Sequence, residues 1–575
     1  MLQICSGKLF QQEVEFRNNL RGVIYTNLNL GIDEKIETKA GCLLDTSTPA
    51  RSNAIVYELE ELMESTGNGV KAGVLVSHTI RPYILDFSAI LSFAVNCTAS
   101  PSYTLTDRLL SEEYGISTHT FPKKVVKRTF DTDVYLQEKD KEHLVKFTNH
   151  LIGLERHNYL GIMRAIRTYV TGMQRIADDF ELAYTLLVAS LESLAQDFDG
   201  YKSCWDDYDQ RKKKQVDAAL SGSDEEIAEK VRQAILDIEH ISLGRRFRDF
   251  TQLHISPSFY REEANGITNP ISKFDLPKAL TNAYQARSQY VHQLRKLPDL
   301  LTAFGGGYSE TCSIQNNTWL TIQGLSRLVR HVITEFVFKQ PIVEKESYDY
   351  SRERAGIIQA PLAPQYWVAN ANVINGLGSK KLKGFLEQLD GCVRRLPNAS
   401  ITDIRPVLEK VEKHYNEFNK DDRVAYAALY MIFNSYVSPS EQMPNLEEFH
   451  PKLDKEFVVP SSHALIMNLL FNVPAKWDLS THDDCLKNYF KTRNQKLNFR
   501  APATFESGML LQLAERYRLS ENHDEAMNLI SMAVENQPSN SELKQFEQDF
   551  SLDNQIPIEW TKVLLPKKDE DVEDK

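Results

Sequence analysis

The chain has 575 residues, with 67 lysines and arginines against 79 aspartates and glutamates, so its formal net charge is −12. That charge excludes a protein that coats nucleic acid through an overall positive surface. The length predicts three or four domains. The composition, 42% hydrophobic and 25% charged, is typical of a soluble globular protein.

The seven cysteines are scattered and form no C-x-x-C pair, so they indicate neither a disulfide framework nor a zinc site. We expect no metal and no cofactor. The N-terminus lacks the pattern of a secretory signal peptide. The most apolar window, Ala89–Ala99, is too short to span a bilayer. We therefore predict a cytoplasmic protein that does not enter a membrane.

Residues 1–148 are predicted to form an N-terminal β-rich (α+β) domain. The segments Gly22–Leu30 and Gly73–Ile80 carry β-branched and aromatic residues between glycines, asparagines and aspartates. Such segments favour strands over helices. One helix, around Ser52–Ser65, is predicted between them.

From about Asn149 the hydrophobic pattern changes to a helical period, which predicts a central helical domain over residues 149–345. Apolar residues from Tyr184 to Phe198 recur with the spacing of a helix that packs on one face. Further helices are predicted at Asp209–Leu220, Asp224–His240, Leu276–Leu297 and Asn317–Phe338. Pro277 and Pro298 mark the start and stop of the third of these. A glycine-rich loop, Phe304–Glu310, follows it.

Residues 346–566 are predicted to form a C-terminal helical domain, and the charged residues 567–575 a disordered tail. Seven residues match the pattern of a tetratricopeptide repeat (TPR): Leu513, Ala514, Tyr517, Ala526, Ile530, Ala533 and Pro538. Small residues at these positions let two antiparallel helices approach closely. We predict TPR-like helical hairpins, with the helices from about Ser379 stacked on this one. Another type of helical hairpin with alanines at its seam is the alternative.

The candidate chemistry lies on the predicted helix Leu276–Leu297, which carries Arg287 and His292. Phosphate-binding glycine loops and the H-E-x-x-H and G-x-S-x-G motifs are missing from the sequence. The Arg–His spacing is weak by itself, because chance predicts roughly two such pairs in a chain of this composition. His254 with Arg248, and His523 with Arg516 or Arg518, have similar spacings.

We favour Arg287 and His292 because they are predicted to lie well inside a helix, where the backbone fixes their relative positions. Residues five apart on a helix are about 140° apart around its axis. They can still flank one cleft, particularly one completed by a second subunit. Ser288, His292 and Arg295 would form one polar stripe on this helix. A solvated helix face that happens to contain a histidine is the alternative.

Glu192 is the only charged residue between Glu181 and Asp197. A carboxylate among apolar residues is costly to bury unless it is paired. We predict that Arg287 is its partner and that Glu192 orients the guanidinium. The alternative is that Glu192 points to solvent.

Two blocks together resemble the Apea-like branch of the HEPN superfamily over about residues 160–340. The first is Ala183–Ala195, with its Leu-Glu-Ser-Leu core, and the second, about a hundred residues later, is Ala283–His292. The resemblance implies a mainly α fold with a central HEPN-type helical bundle. It also implies a metal-independent endoribonuclease that cleaves cellular RNA such as tRNA or mRNA.

The resemblance assigns roles to the residues of the second block. Arg287 would bind the scissile phosphate and stabilise the charge that develops on it. His292 would act as general acid or base, since an imidazole titrates near the working pH. Ser288 stands where many relatives carry Asn, Asp or His, so the auxiliary catalytic group stays open.

The resemblance further implies a homodimer or a higher even-numbered homo-oligomer. The activity would be that of a toxin in abortive infection, a bacterial antiviral defence. The region of Ser77–Ile84 weakly resembles the domain that precedes the nuclease in such proteins. A phage protein or another trigger would then act on the N-terminal or the TPR-like domain. The alternative function is a catalytically inactive HEPN/TPR-like dimeric scaffold that binds a protein partner.

The charge distribution is compatible with RNA binding at a local site. Residues 151–345 contain 24 lysines and arginines against 25 aspartates and glutamates, so most of the acidity lies outside the predicted nuclease domain. Candidate basic patches for RNA-binding are Arg211–Lys214, Arg245–Arg248 and Lys123–Arg128. A solvated surface is an equally good interpretation of each patch.

Overall fold

The structure is a computed structural model that describes residues 1–31, 33–46, 54–65, 78–111, 121–201, 204–208, 210–238, 243–302, 308–355, 357–358, 360–495 and 498–566. It is mainly helical with a small antiparallel sheet near the N-terminus, as predicted. The chain divides into two compact units, Met1–Gln359 and Ala360–Lys575. The glycines of the predicted loop Phe304–Glu310, most of the predicted strand Gly73–Ile80 and the predicted tail lie outside the described residues.

The first unit contains a five-stranded sheet with the strand order β3-β4-β5-β1-β6. The strands are β1 (Val14–Thr26), β2 (Leu28–Asn29), β3 (Lys35–Thr38), β4 (Gly41–Leu44), β5 (Ala54–Glu64), β6 (Ala99–Ser100), β7 (Val134–Tyr135), β8 (Thr311–Ile314) and β9 (Asn317–Leu320). Strands β1 and β5 are antiparallel partners from the Val14–Glu64 pair to the Tyr25–Ala54 pair. Strands β2 and β7 form a short parallel pair, and β8 and β9 form a hairpin.

The predicted helix at Ser52–Ser65 is wrong, because its described residues form β5. Ile55, Tyr57 and Leu59 are buried at alternate positions, which is the two-residue period of a strand. The composition of this segment, rich in Glu and Leu, favours a helix locally. Pairing with β1 along nearly its whole length outweighs that preference.

The helices of the first unit surround a core that continues from the sheet into a helical bundle. They are α1 (Leu2–Cys5), α2 (Arg81–Val95), α3 (Tyr103–Leu110), α4 (Pro122–Val125), α5 (Glu138–Gly153), α6 (Arg156–Arg175), α7 (Phe180–Phe198), α8 (Gln210–Leu220), α9 (Glu225–Ile238), α10 (Leu243–Leu253), α11 (Leu276–Gln293), α12 (Asp299–Thr302) and α13 (Ile322–Lys339). The predicted domain border after residue 148 falls inside α5. The border predicted after residue 345 differs from the observed division after Gln359.

The predicted helix Leu276–Leu297 is four residues shorter in the structure, where α11 ends at Gln293. Leu294 adopts the left-handed conformation with φ of 51°. Its N–H donates to the Tyr290 carbonyl at 2.9 Å, which closes the last turn. Arg295 therefore lies beyond the helix, and only Ser288 and His292 remain of the predicted polar stripe.

The predicted helix Asn317–Phe338 begins five residues later than expected. Asn317–Leu320 form β9, and α13 begins at Ile322. The helix starts there because the Thr321 hydroxyl accepts the Gly324 N–H at 3.2 Å and thereby caps the first turn.

The second unit has a separate hydrophobic core and is formed by helices. They are α14 (Gly378–Val393), α15 (Arg405–His414), α16 (Lys420–Tyr436), α17 (Leu446–Leu453), α18 (Ser462–Leu470), α19 (Leu479–Thr492), α20 (Ala503–Leu519), α21 (His523–Asn536), α22 (Ser541–Leu552) and α23 (Trp560–Leu564). Helices α20 and α21 form the predicted hairpin, with Ala514, Ala526 and Ala533 fully buried. Its TPR type stays a prediction. Among the helices described in both units, none is long and apolar enough to cross a bilayer.

Candidate functional site

Helices α7 and α11 pack against each other and carry the predicted site residues. The packed side of α11 consists largely of small residues, Ala279, Ala283 and Ala286, which let the two helices approach closely. Asp179 caps the start of α7 by accepting the Leu182 N–H at 2.8 Å. The Tyr290 hydroxyl donates to the other oxygen of this carboxylate at 3.3 Å, so the two helices are also joined at this end.

Glu192 and Arg287 form the predicted ion pair, with 2.7 Å between Oε2 and Nη2. Glu192 is only 4% exposed, so the alternative that it points to solvent is wrong. Its second oxygen, Oε1, accepts the Tyr284 hydroxyl at 3.1 Å. A buried carboxylate is thereby supplied with one charged and one neutral donor.

Tyr284 is a member of this cluster to which the sequence assigned no role. Its ring centroid lies 6.0 Å from the Arg287 guanidinium carbon. Burial and the nearby Glu192 charge raise the pKa of Tyr284 to about 12, so it remains a donor at neutral pH. The spacing of three residues between Tyr284 and Arg287, which places both on one helix face, is the signal that identifies it.

Arg287 keeps hydrogen-bonding capacity beyond its contact with Glu192. The guanidinium has five N–H donors in a planar fork, and Glu192 accepts from Nη2. Within the described part of the chain, its buried Nε has no hydrogen-bond partner. The side chain is 22% exposed. Arg287 is therefore partly exposed on α11, and Glu192 does not use all of its donors.

His292 lies in the last turn of α11 and is exposed, rather than well inside the helix as predicted. Ser288 is half-buried one helical turn before it. No hydrogen bond within the described ranges joins His292 or Ser288 to Glu192, Arg287 or Tyr284. The structure thus brings Glu192 and Arg287 together and leaves His292 on the same helix, outside their cluster.

The two competing Arg–His pairs are less suited to chemistry. His254 is buried, and its Nδ1 lies 2.9 Å from the Phe250 carbonyl. Burial lowers the pKa of His254 and disfavours its charged form. Near His523, Arg516 contacts His482 instead, with 3.0 Å between Nη1 and Nδ1.

The predicted basic patch Arg245–Arg248 is balanced by neighbouring carboxylates. Arg245 pairs with Asp207 at 2.6 Å, and Arg246 pairs with Asp199 at 2.6 Å. Arg248 lies 3.4 Å from Asp249. This patch therefore does not present the uncompensated positive charge that phosphate backbones attract.

A hydrogen-bonded group that the sequence did not indicate contains Ser256, His331 and Glu263. Glu263 Oε1 lies 2.8 Å from His331 Nδ1, and Ser256 Oγ lies 3.5 Å from Nε2. This order of groups is that of a serine-hydrolase relay. The Ser256 backbone N–H, however, donates to the same Nε2 at 3.1 Å and occupies the lone pair that a general base needs.

We therefore assign His331 a structural role, in which it holds the loop that carries Ser256. Its partners are far apart in the sequence and follow no spacing motif, so no pattern pointed to them. Comparison of the chain with protein-family models, with curated proteins and with solved structures finds no match. The assignment of a function consequently depends on the residues of the site and on the resemblance described above.

Proposed function

We propose that the chain is a metal-independent HEPN-type endoribonuclease that cleaves cellular RNA such as tRNA or mRNA. The observation that carries the proposal is the Glu192–Arg287 ion pair. A buried carboxylate holds an arginine at the surface of α11, the helix that also bears the exposed His292. An oriented, partly exposed guanidinium suits a phosphodiester, and an exposed imidazole suits proton transfer near neutral pH.

In this proposal Arg287 binds the scissile phosphate and stabilises the charge that develops on it. His292 accepts the proton of the 2′-hydroxyl or donates one to the leaving 5′-oxygen. Attack of the 2′-oxygen on phosphorus breaks the bond to the 5′-oxygen and leaves a cyclic phosphate and a 5′-hydroxyl. Glu192 is a positioning residue for Arg287. Ser288 is a candidate auxiliary donor to the phosphate.

The proposal includes a homodimer, because His292 lies outside the Glu192–Arg287 cluster of its own chain. A second copy would complete the cleft. Val291 and Leu294, 46% and 76% exposed, flank His292 and offer apolar surface for such a contact. With the resemblance, we propose that the nuclease is the toxic effector of an abortive-infection response, triggered by a phage protein or another signal at the N-terminal β-rich domain or the TPR-like hairpins.

The test is cleavage of tRNA and mRNA by the purified full-length protein in the presence of EDTA. We expect Arg287→Ala and His292→Ala each to lower the rate by about 100-fold or more. Arg248→Ala, which removes a comparably exposed arginine of the same unit, is the matched control. RNA with a 2′-deoxy sugar at the cleavage site should resist cleavage. If Arg287→Ala and His292→Ala both cleave RNA as fast as the wild type, the proposed function is wrong.

A dimeric scaffold without catalytic activity is the second candidate. The observation that favours it is that Glu192 already binds both Arg287 and Tyr284 within one chain. An ion pair with a purely structural role would have the same contacts. The two proposed functions predict different effects on cell growth. If the protein is a nuclease, expression of the wild type arrests growth and expression of His292→Ala does not. The scaffold predicts that His292→Ala changes nothing and that disruption of the α20–α21 hairpin abolishes function.

A further inference from the structure

We infer that a cleft next to the start of α11 binds an unpaired base of single-stranded RNA together with an adjoining phosphate. The inference rests on the proposed ribonuclease function. The cleft has a volume of about 940 Å³. We call it the Phe274 cleft, and Pro257, Tyr260, Arg261, Lys273 and Phe274 are the lining residues that matter here.

Phe274 is the most exposed large apolar side chain in the described part of the chain, at 92%. A turn of hydrogen bonds holds it there. The Ser272 hydroxyl donates to Asp275 Oδ2 at 2.7 Å, and the Leu276 N–H donates to the Ser272 carbonyl at 3.1 Å. An exposed phenylalanine forgoes the free energy that burial would provide. These hydrogen bonds fix the backbone of the turn, and an exposed ring that such a turn presents at the edge of a cleft indicates a ligand that covers it.

The charge of the cleft favours an anion, although the chain as a whole has a net charge of −12. Arg261 and Lys273 are both exposed and both line the cleft, whereas its described lining contains no acidic side chain. A phosphate is attracted by two such cations. An aromatic ring beside two cations is the combination with which proteins bind single-stranded nucleic acid, by stacking bases and contacting the backbone.

The backbone on both sides of the cleft is anchored to α13 by hydrogen bonds to buried side chains. His331 on α13 accepts the N–H of Ser256 at 3.1 Å. On the other side, the fully buried Glu310 accepts the Ile271 N–H at 2.9 Å. Glu310 also binds Arg327 of α13 through contacts of 2.7 and 2.9 Å. A preformed cleft loses little conformational freedom when a ligand binds.

The cleft is separate from the proposed cleavage residues. Leu276 begins α11 and His292 is 16 residues further along, about 24 Å at the rise of an α-helix. A base bound at Phe274 is thus held away from the scissile phosphate. Bases in a duplex already stack on both faces and cannot cover the ring. We therefore assign the cleft to the selection of RNA with an unpaired segment.

The test is the affinity of the full-length His292→Ala protein, which avoids cleavage, for a fluorescein-labelled 12-nucleotide oligouridylate, measured by anisotropy. We expect Phe274→Ala to weaken binding about tenfold or more and Phe274→Trp to restore it. Tyr135→Ala, which removes another exposed aromatic residue of the same unit (74% exposed), should leave the affinity unchanged. Removing Arg261 and Lys273 together should reduce the salt dependence of binding.

Two outcomes would overturn the inference: an unchanged affinity of Phe274→Ala, and equal competition by a 12-base-pair RNA duplex. An unchanged affinity together with a change from dimer to monomer on Phe274→Ala would assign the cleft to self-association. These results are independent of catalysis, because binding is measured in a variant that lacks His292. If His292→Ala cleaves like the wild type, the proposed function fails, and the binding is then measured with an oligo-2′-deoxyuridylate, which keeps the bases and phosphates and has no 2′-hydroxyl to attack.

Discussion

At the scale of single residues, Glu192 links the interior of the molecule to the proposed chemistry. It is 4% exposed, and its two oxygens accept from Arg287 and Tyr284. In a low-dielectric interior, the attraction between Glu192 and Arg287 offsets part of the free-energy cost of removing each charge from water. The guanidinium consequently has one preferred orientation, which matters if Arg287 contacts a phosphate, because misplaced groups lose much of their catalytic effect.

We predict that Glu192→Ala destabilises the protein by about 3 kcal/mol, because Arg287 then stays partly buried without its acceptor. The double variant Glu192→Ala/Arg287→Ala should lose less free energy of unfolding than the two single variants lose in sum, since it leaves no unpaired charge. Urea unfolding measures both. Glu226→Ala, which removes one member of an exposed ion pair with Lys230, should change stability by about 0.5 kcal/mol or less.

A second substitution at Glu192 separates positioning from catalysis. In the ribonuclease assay, Glu192→Gln keeps the shape and a hydrogen bond to Tyr284 but removes the charge that aligns Arg287. We expect a lower kcat and an unchanged pH dependence, because His292 still carries the proton. A shift of the pH profile instead would show that Glu192 itself transfers a proton, contrary to the role given to it here.

At the scale of secondary-structure elements, α13 holds together segments that are distant in the sequence. Arg327 on this helix binds Glu310 with Nε and Nη2, at 2.7 and 2.9 Å. Its Nη1 donates to the Phe259 carbonyl at 3.0 Å, and its guanidinium carbon lies 3.7 Å from the Phe259 ring centroid. The flat fork of an arginine makes all of these contacts simultaneously, which a lysine cannot do.

We predict that Arg327→Lys fails to replace the arginine. The variant keeps the charge but loses the two-point contact with Glu310 and the contact with the Phe259 carbonyl, so the segments at Phe259 and Ile271 should open more often. Hydrogen exchange of the amides of these two residues measures this opening. Arg394→Lys, at an exposed pair with Asp390, is the control. Exchange as slow as in the wild type would contradict the anchoring role of Arg327.

Elements with a strong internal pattern could be predicted, and those that depend on distant partners could not. The stripe of α7 identified that helix, and a lone carboxylate within it identified the Glu192–Arg287 pair. Strand β5 was missed because its composition favours a helix while its stability comes from β1. The contacts of Glu310 and Arg327 join residues from separate segments, and no local spacing encodes such contacts.

At the scale of the whole molecule, the two units have separate hydrophobic cores. The second unit buries two histidines, His463 and His482, which are 9% and 0% exposed. Burial lowers the pKa of His463 to about 4. Burial and then the positive charge of Arg516 lower the pKa of His482 to about 4 as well. Both histidines are consequently neutral in the folded protein at pH 6.

We predict that the second unit loses stability as the pH falls from about 6.5 to about 4. In this range the unfolded chain binds a proton at each histidine, whose ordinary pKa is about 6.5, while the folded unit does not. Each histidine therefore lowers the free energy of unfolding as the pH falls, and the slope approaches about 1.4 kcal/mol per pH unit once the unfolded histidine is fully protonated. Well above pH 6.5 neither form binds these protons, so the contribution is constant. Calorimetry between pH 8 and pH 5 measures the effect.

Substitution of the two histidines tests whether they cause this pH dependence. Glutamine does not titrate, so His463→Gln and His482→Gln should each remove up to about 1.4 kcal/mol per pH unit from the slope below pH 6.5, whatever they do to stability at pH 8. His450→Gln, at an exposed pair with Asp454, is the control and should keep the full slope. A slope that stays the same in both buried-site variants would assign the acid sensitivity to other groups, because a residue that no longer binds protons cannot contribute to it.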